Sequence, residues 1–359
     1  MDSDRHYYSL DILKFILSVL IVFHHFQQST SMGIDRIRFY GGVINFAYCV
    51  EFFFIISGFL AAKRLKKTSE TAFPDYLKQK IGTLYPMPVF SVLCMLALNW
   101  MHFFTEGEWL TRQAPDIFKV LNSLLMTFAS GVVDSGSGIN NPLWYINVLM
   151  LCHMILWVIM RQCRKYGWNH IYPAMMMCAF GCACLNCELD LPLMNECTSR
   201  GYCAFFLGIV LYRLYEISNR RRLFCLSVGV LLICTMLLFV DYYSFYKYDF
   251  GALTFVVFPS ILFTALALDR FADRRFLSRL GGISFAAYVW HPFCNALFRW
   301  MRENEGFNRI VTNADGIAVM ALFTVAVLLL AVVMDGLFKK DLNVKMNRAF
   351  FWLFEKDEA

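Results

Sequence analysis

Charged side chains are scarce in this 359-residue chain: Asp, Glu, Lys and Arg make up 17% of it, against 58% for the hydrophobic residue types. The sequence also lacks internal repeats, low-complexity tracts and long linkers. Such a composition is typical of a protein that crosses a membrane many times. Because no long polar stretch is left for a soluble domain, we expect a single integral-membrane domain over residues 1–359. Its functional site must then lie among the helices or in short loops.

Ten apolar stretches each approach the roughly 20 residues that a helix needs to cross the hydrocarbon core. We therefore expect an all-α polytopic membrane protein with about ten transmembrane helices enclosing a polar cavity. The first stretch has acidic residues before it, Lys14 within it and no small-residue cleavage pattern after it, so we expect a permanent helix rather than a cleaved signal peptide. The stretches are residues 8–28, 43–62, 83–104, 143–160, 170–186, 201–217, 223–240, 250–268, 280–300 and 315–338.

Basic residues concentrate in alternate loops, and cytoplasmic loops are the ones that carry an excess of Lys and Arg. This pattern predicts that both termini are cytoplasmic, in a multi-pass protein of a cell membrane, either a bacterial inner membrane or a plasma membrane. The net charge of +6 then reflects membrane topology, and we expect no nucleic-acid partner. The basic loops contain Lys63, Arg64, Lys66, Lys67, Lys78 and Lys80; Arg161, Arg164 and Lys165; Arg220, Arg221 and Arg222; and Arg270, Arg274, Arg275 and Arg279.

The first apolar stretch contains a stripe of polar residues. Lys14 and His25 are 11 positions apart, which is three helical turns plus about 20°, so they share one face with Asp11 and Ser18. A charge inside a spanning helix usually faces a cavity and carries function. His24 points about 100° away. The alternative interpretation is structural: Lys14 pairs with Asp11, and water reaches His25 at the interface.

Three other stretches place polar residues within the membrane. Glu51 lies in the outer half of the second, as His25 does in the first, so this carboxylate could orient the imidazole; the alternative is a buried, neutral Glu51. The ninth stretch carries Ser284, Tyr288 and His291 on one face, followed by Pro292, which removes a backbone donor. The fourth begins with Asn141-Pro-Leu-Trp144-Tyr145-Ile-Asn147. The pattern predicts a polar cavity lined by the first, second, fourth and ninth helices.

The longest loop, residues 105–142, combines an amphipathic stretch over 117–133 with a Gly/Ser/Asn-rich segment over 134–141. We expect an interfacial helix or a re-entrant hairpin there, and a lid over the acceptor. The tyrosines of residues 241–249 are typical of an interfacial belt. Cys178, Cys182, Cys184 and Cys187 lack partners at zinc-like spacing, so we expect no metal. Whether Cys187 and Cys197 form a disulfide stays open.

Three motifs, in this order, resemble the acyltransferase-3 family of integral-membrane O-acyltransferases. They are Leu10-Asp11-Ile-Leu-Lys14 with His25; Glu51-Phe-Phe-Phe-Ile-Ile-Ser57-Gly58-Phe59-Leu60; and Ser284-Phe285 with Tyr288 and His291. Two departures stand out. Thr83 occupies the position where many members carry a second basic residue after Lys80. Many members also have a glutamate shortly after the tryptophan, whereas residues 145–151, which follow Trp144, contain no acid.

The resemblance implies transfer of an acyl group, usually acetyl, from cytoplasmic acyl-coenzyme A to a hydroxyl of an extracytoplasmic carbohydrate. His25 would be the general base or would receive the acyl group itself, and Glu51 would orient and charge-balance it. Lys14, Lys63, Arg64 and Lys80 would bind the anionic donor, acetyl-CoA or another acyl-CoA. We assign substrate binding to Asp11, Ser57, Trp144, Asn147, Tyr288 and His291. The expected partners are acyl-CoA, a carbohydrate acceptor and membrane lipid, and a homodimer is compatible with the sequence.

A secondary transporter or flippase for a lipid-linked or small anionic molecule is the alternative function. Buried ionisable residues would suit it equally well. Transporters of this size often have related halves with paired broken helices. The prolines of this chain show no such pairing at a constant offset, and the sequence therefore favours the acyltransferase.

Overall fold

The computed structural model describes residues 6–33, 38–42, 44–111, 114–132, 138–239, 250–272 and 275–348. Within these ranges the regular structure is helical, apart from an isolated β-bridge between Leu191 and Met194. The longer helices are α1 (Tyr8–Thr30), α2 (Cys49–Ala62), α4 (Phe73–Leu84), α5 (Pro86–Glu106), α7 (Trp144–Tyr166), α8 (Ile171–Asn186), α9 (Glu196–Ile217), α10 (Arg220–Phe239), α12 (Phe258–Leu268), α13 (Ser278–Met301) and α15 (Gly316–Leu337). The shorter ones are α3 (Leu65–Glu70), α6 (Ile117–Leu124), α11 (Phe250–Ala252) and α14 (Glu305–Asn313), and a π-helical turn, Leu253–Val257, joins α11 to α12.

The all-helical fold is as predicted, and a helix lies at each of the ten apolar stretches. Six helical segments of the described chain are long and apolar enough to cross a membrane, and Phe46–Ala62 and Ile171–Asn186 are shorter apolar helices. The molecule is therefore a multi-pass membrane protein. A total of ten crossings and cytoplasmic termini stay predictions.

Helix α2 lies at the centre of the fold, and every residue from Cys49 to Ile56 is buried. It packs closely on α9 through two glycines. A Cβ at Gly58 would overlap the Phe205 carbonyl oxygen, and one at Gly208 would overlap the Ile55 carbonyl oxygen. Only hydrogen fits at these two positions, so the two backbones come into direct contact, as small residues permit between membrane helices.

Helices α1 and α13 form a second close pair that runs in one direction. Gly281 faces the Asp11 carboxylate, Ser284 Oγ donates to the Lys14 carbonyl oxygen at 2.8 Å, and the His291 ring stacks on that of His25. Since Asp11, Lys14 and His25 meet their partners in the same chain order, the polar stripe of α1 runs along α13. This pair of helices positions His25 beside His291.

Several expectations about the loops change in the structure. The amphipathic stretch is helical only over Ile117–Leu124, where the Asp116 carboxylate accepts from the backbone N–H groups of Phe118 and Lys119. Residues 133–137, which include half of the Gly/Ser/Asn-rich segment, and the tyrosine-rich loop 241–249 lie outside the described residues. Cys187 and Cys197 are free thiols, so the disulfide that the sequence left open is not formed.

Candidate active site

A cavity of about 450 Å³ lies where α1 begins and α2 ends, and it extends between α4 and α7. The four residues that the sequence assigned to an anionic donor, Lys14, Lys63, Arg64 and Lys80, all line it. The predicted substrate residues Asp11 and Ser57 line it too. Lys67, Gln79, Thr83, Leu149 and His153 are also among the lining residues. The structure therefore brings together basic side chains from three parts of the chain: α1, the segment after α2, and α4.

The cavity carries an excess of positive charge. Asp11 is the acidic residue among its lining side chains, and its carboxylate accepts from Lys14 Nζ at 2.8 Å and from His6 Nε2 at 2.6 Å. Burial, together with the nearby Arg64 cation, lowers the pKa of Lys80 to about 8. A bound anion would relieve the repulsion among these cations, so the cavity is suited to phosphate groups.

Aromatic side chains close the end of the cavity that is lined by Ser57. Ser57 Oγ lies 3.1 Å from the Tyr145 hydroxyl. The Tyr145 ring meets that of Tyr288 edge-on, with centroids 5.6 Å apart, and the Tyr288 hydroxyl donates to the Pro142 carbonyl oxygen. We call Tyr145 and Tyr288 the tyrosine pair. On its far side the Tyr288 ring lies 5.9 Å from the His291 ring, so the pair separates the cavity from the histidines.

His25 and His291 stack with centroids 5.0 Å apart and an interplanar angle of 22°. His25 Nδ1 donates to the Gln28 Oε1 atom at 2.9 Å, and His291 Nδ1 donates to the Tyr288 carbonyl oxygen at 2.8 Å. Because Nδ1 holds the hydrogen in each neutral ring, Nε2 keeps its lone pair. The Nε2 atom of His291 is buried and has no hydrogen-bond partner among the described residues. The pair can thus accept a proton from a substrate hydroxyl.

A smaller cavity of about 220 Å³ begins one helical turn beyond the histidine pair. Ser29 follows His25 by four residues, and Asn295 follows His291 by four, so both lie above the imidazoles on their helices. The remaining lining residues are mostly polar: Thr30, Phe298, Arg299, Arg302, Glu303 and Asn308. The histidines therefore lie between two polar cavities at opposite ends of α1.

Glu51 does not pair with His25, contrary to our expectation. Its Oε1 atom accepts from Arg200 Nε, and Oε2 is buried with no partner in the described part of the chain. Arg200 stands between two rings, 4.9 Å from the centroid of Trp144 and 5.4 Å from that of Tyr48. The position that we predicted for Glu51 beside His25 is filled by Gln28, on the same helix as the histidine.

Trp144 and Asn147, which we assigned to substrate binding, line neither cavity, and neither does Ser18 of the α1 stripe. Asn147 is buried, with Nδ2 unpartnered among the described residues, and Ser18 donates to the Phe15 carbonyl oxygen of its own helix. His24 donates to the Phe39 carbonyl oxygen at 2.8 Å, and its ring makes an angle of 87° with that of His25, consistent with the divergence predicted from the helix. Its contact attaches the segment after α1 to the bundle.

Sequence reasoning missed Gln28, Tyr145, His153 and Arg200. Gln28 follows His25 by three residues, and this spacing alone could have identified it. Tyr145 and His153 lie on the helix that was already singled out for Trp144 and Asn147. Arg200 had a weaker signal: it is a lone cation just before an apolar stretch, and its partner is 149 positions away.

Comparison with protein families gives one match, to the model of the acyltransferase-3 domain, over residues 7–336. Comparison with curated proteins and with solved structures gives no match. The matched range begins just before α1 and ends in α15, so it contains the histidine pair, the second cavity and, apart from His6, the residues that line the basic cavity. The chain belongs to the acyltransferase-3 family, a family of membrane acyltransferases.

Proposed function

We propose that this protein transfers an acyl group, acetyl in the simplest case, from cytoplasmic acyl-CoA to a hydroxyl of an extracytoplasmic carbohydrate. One observation carries the proposal: a histidine pair with free Nε2 lone pairs lies between a basic cavity and a second polar cavity. The basic cavity would hold the nucleotide phosphates of the donor. The second would admit the acceptor.

The chemistry requires a base at the acceptor hydroxyl. His25 Nε2 takes the hydroxyl proton as the oxygen attacks the thioester carbonyl; a C–O bond forms, the C–S bond breaks, and the coenzyme A sulfur receives the proton. In the second route His25 Nε2 itself attacks the thioester carbonyl, so an N–C bond forms, the C–S bond breaks and the coenzyme A thiolate leaves. The acceptor oxygen then attacks the acyl-imidazole, the C–N bond breaks, and the hydroxyl proton goes to the thiolate. Gln28 keeps the ring in the required tautomer in both routes.

The thioester must pass the tyrosine pair to reach His25. Ser57 and Tyr145 lie at the end of the basic cavity, and Tyr288 contacts both Tyr145 and His291. We infer that the acyl end of the donor displaces these rings, while its phosphates stay among Lys63, Arg64 and Lys80. Trp144, beside Arg200, offers an aromatic face on which a sugar ring can stack, with Glu51 fixing the arginine.

The proposal is tested with detergent-purified protein and acetyl-CoA radiolabelled in the acetyl group. We expect thioester loss that is abolished by His25→Ala, which removes the proposed base, and that persists in His24→Ala, whose ring is bound to the Phe39 carbonyl oxygen. Label on the protein that disappears with His25 would identify the acyl-imidazole route, and thioester loss without protein label would identify direct transfer.

Both variants must show the same elution profile and thermal unfolding as the unaltered chain. Turnover retained in a folded His25→Ala variant would remove His25 from the mechanism. An inactive His24→Ala beside an active His25→Ala would transfer the role to His24. Uptake of intact labelled donor into sealed vesicles, with no thioester loss, would replace the acyltransferase by a transporter.

A further inference from the structure

His153 is a buried imidazole half-way along α7 that the mechanism above does not use. It is 6% exposed, and it lines the basic cavity between the membrane bundle and the amphipathic helix α4. Its ring packs edge-on against Phe205, with centroids 5.1 Å apart and an angle of 79°. Packing of this kind fixes the plane of the ring and therefore the direction of its two nitrogen atoms.

Both ring nitrogens contact α4. Lys80 Nζ lies 3.4 Å from Nε2, and the Tyr76 hydroxyl lies 3.1 Å from Nδ1. An ammonium group has only donors, so Nε2 must accept, and Nδ1 must carry the hydrogen that the Tyr76 oxygen accepts. His153 thus provides a buried lone pair for the Lys80 cation from the opposite wall of the cavity.

Lys80 needs such a partner because its surroundings oppose its charge. It is removed from water, and Arg64 lies close by; together these lower its pKa to about 8. The Tyr76 ring, 5.4 Å from Nζ, and His153 favour the ammonium form instead. The other charged or titratable side chains that line the cavity are His6, Tyr7, Asp11, Lys14, Lys63 and Lys67.

We propose that His153 is a positioning residue: by accepting from Lys80, it keeps that side chain charged and directed at the phosphates of the donor. The inference rests on the proposed function, since it takes acyl-CoA as the occupant of the basic cavity. It adds a residue that touches neither the thioester nor the acceptor. It also makes donor affinity depend on pH in a defined direction.

The sign follows from linkage. The donor phosphates bind the ammonium form of Lys80 more tightly than the amine, so affinity is full below the pKa of the free protein and falls as pH rises through about 8. Loss of the Nε2 acceptor removes an interaction that favours the ammonium. The fall in affinity would then begin at lower pH.

Two substitutions at one position separate the two contacts of the ring. In His153→Gln the side-chain amide reaches the place of Nε2 and can accept from Lys80. In His153→Asn the shorter amide reaches only the place of Nδ1, so the contact with Tyr76 is kept and the contact with Lys80 is lost. The dissociation constant of acetyl-CoA is measured between pH 6.5 and 9.5 on the purified full-length chain. Tyr76→Phe serves as a further control, because it leaves the Nε2 contact in place.

We expect the affinity of His153→Gln for acetyl-CoA to depend on pH as that of the unaltered chain does. In His153→Asn the midpoint of the fall in affinity should shift down by about one pH unit. That shift means affinity about fivefold weaker at pH 8 and nearly unchanged at pH 6.5. Lys63→Gln should weaken binding at every pH without moving the midpoint. In a Lys80→Gln background the loss of His153 should have no further effect, because the two residues act as one unit.

Equal weakening by Asn and Gln at all pH values would make His153 a packing residue only and would overturn the inference. A profile of His153→Asn that coincides with that of the unaltered chain would overturn it as well. If the folded, unaltered chain binds no acetyl-CoA at any pH, the proposed function fails first. That outcome is distinguishable, because it appears before any variant is made.

Discussion

Pro292 determines the chemistry of the residue before it. Proline has no backbone N–H, so the Tyr288 carbonyl, four residues earlier in α13, loses its helical donor. His291 Nδ1 lies 2.8 Å from that carbonyl and replaces the missing donor. This contact places the ring hydrogen on Nδ1 and leaves Nε2 as a lone pair beside His25. The missing backbone amide hydrogen of Pro292 thereby selects the tautomer of the buried His291.

Pro292→Ala should restore the backbone donor to Tyr288 and release the His291 ring. We expect the helix to be at least as stable as before, while kcat for acyl transfer falls by about tenfold or more because the imidazole is no longer fixed. Steady-state kinetics with acetyl-CoA would measure the change. Pro259→Ala, at the second residue of α12, is the matched control and should keep full activity. Full activity of Pro292→Ala would show that the tautomer of His291 has no part in transfer.

The contact between α2 and α9 governs the fold at the scale of elements. Glu51 belongs to α2 and Arg200 to α9, and the ion pair between them depends on backbones that meet at Gly58 and Gly208. Any side chain at Gly58 would strike the Phe205 carbonyl, which belongs to the backbone and cannot rotate away. The two helices would have to separate, and the pair would separate with them.

Gly58→Ala should therefore lower stability by about 1–3 kcal/mol, the usual effect of overpacking. Gly229→Ala is the control: this glycine of α10 has no atom within 4 Å of an added Cβ, so alanine there should leave stability unchanged or raise it by about 0.5–1 kcal/mol. Thermal unfolding in detergent would compare the two. A Gly58→Ala protein that unfolds at the same temperature as Gly229→Ala would contradict the packing account.

The sequence predicts where helices lie more readily than it predicts which side chains of different helices contact one another. An apolar run of sufficient length must be helical in a bilayer, and the helical repeat places Lys14 and His25 on one face, so both were predictable. Most basic residues of the basic cavity, Lys63, Arg64, Lys67 and Lys80, lie within 18 positions of the chain, so their proximity was predictable, whereas Lys14 joins them from α1. The partner of Glu51 was not predictable, because Arg200 is 149 positions away in the chain and is brought to it only by the close packing of α2 on α9 at Gly58 and Gly208.

The orientation of the whole molecule stays a prediction, and free thiols allow it to be tested. Cys187 is exposed at the end of α8, on the face that we predict to be extracytoplasmic. In sealed right-side-out vesicles a membrane-impermeant maleimide should label Cys187, and Cys187→Ser should abolish that labelling. A cysteine introduced by Ser218→Cys, between α9 and α10, should react only after the membrane is opened. The reverse pattern would invert the topology and place the basic cavity outside.

The tyrosine pair has a further consequence for a cell that contains this protein. In the proposed reaction an acyl group crosses from one polar cavity to the other, whereas a continuous column of water along that path would also conduct protons and dissipate the electrochemical gradient. Packed rings of Tyr145 and Tyr288 interrupt such a column, and the hydroxyl of each is already held, by Ser57 and by the Pro142 carbonyl. The same rings that the thioester would displace in the proposed reaction thus form a barrier that preserves the membrane potential between turnovers.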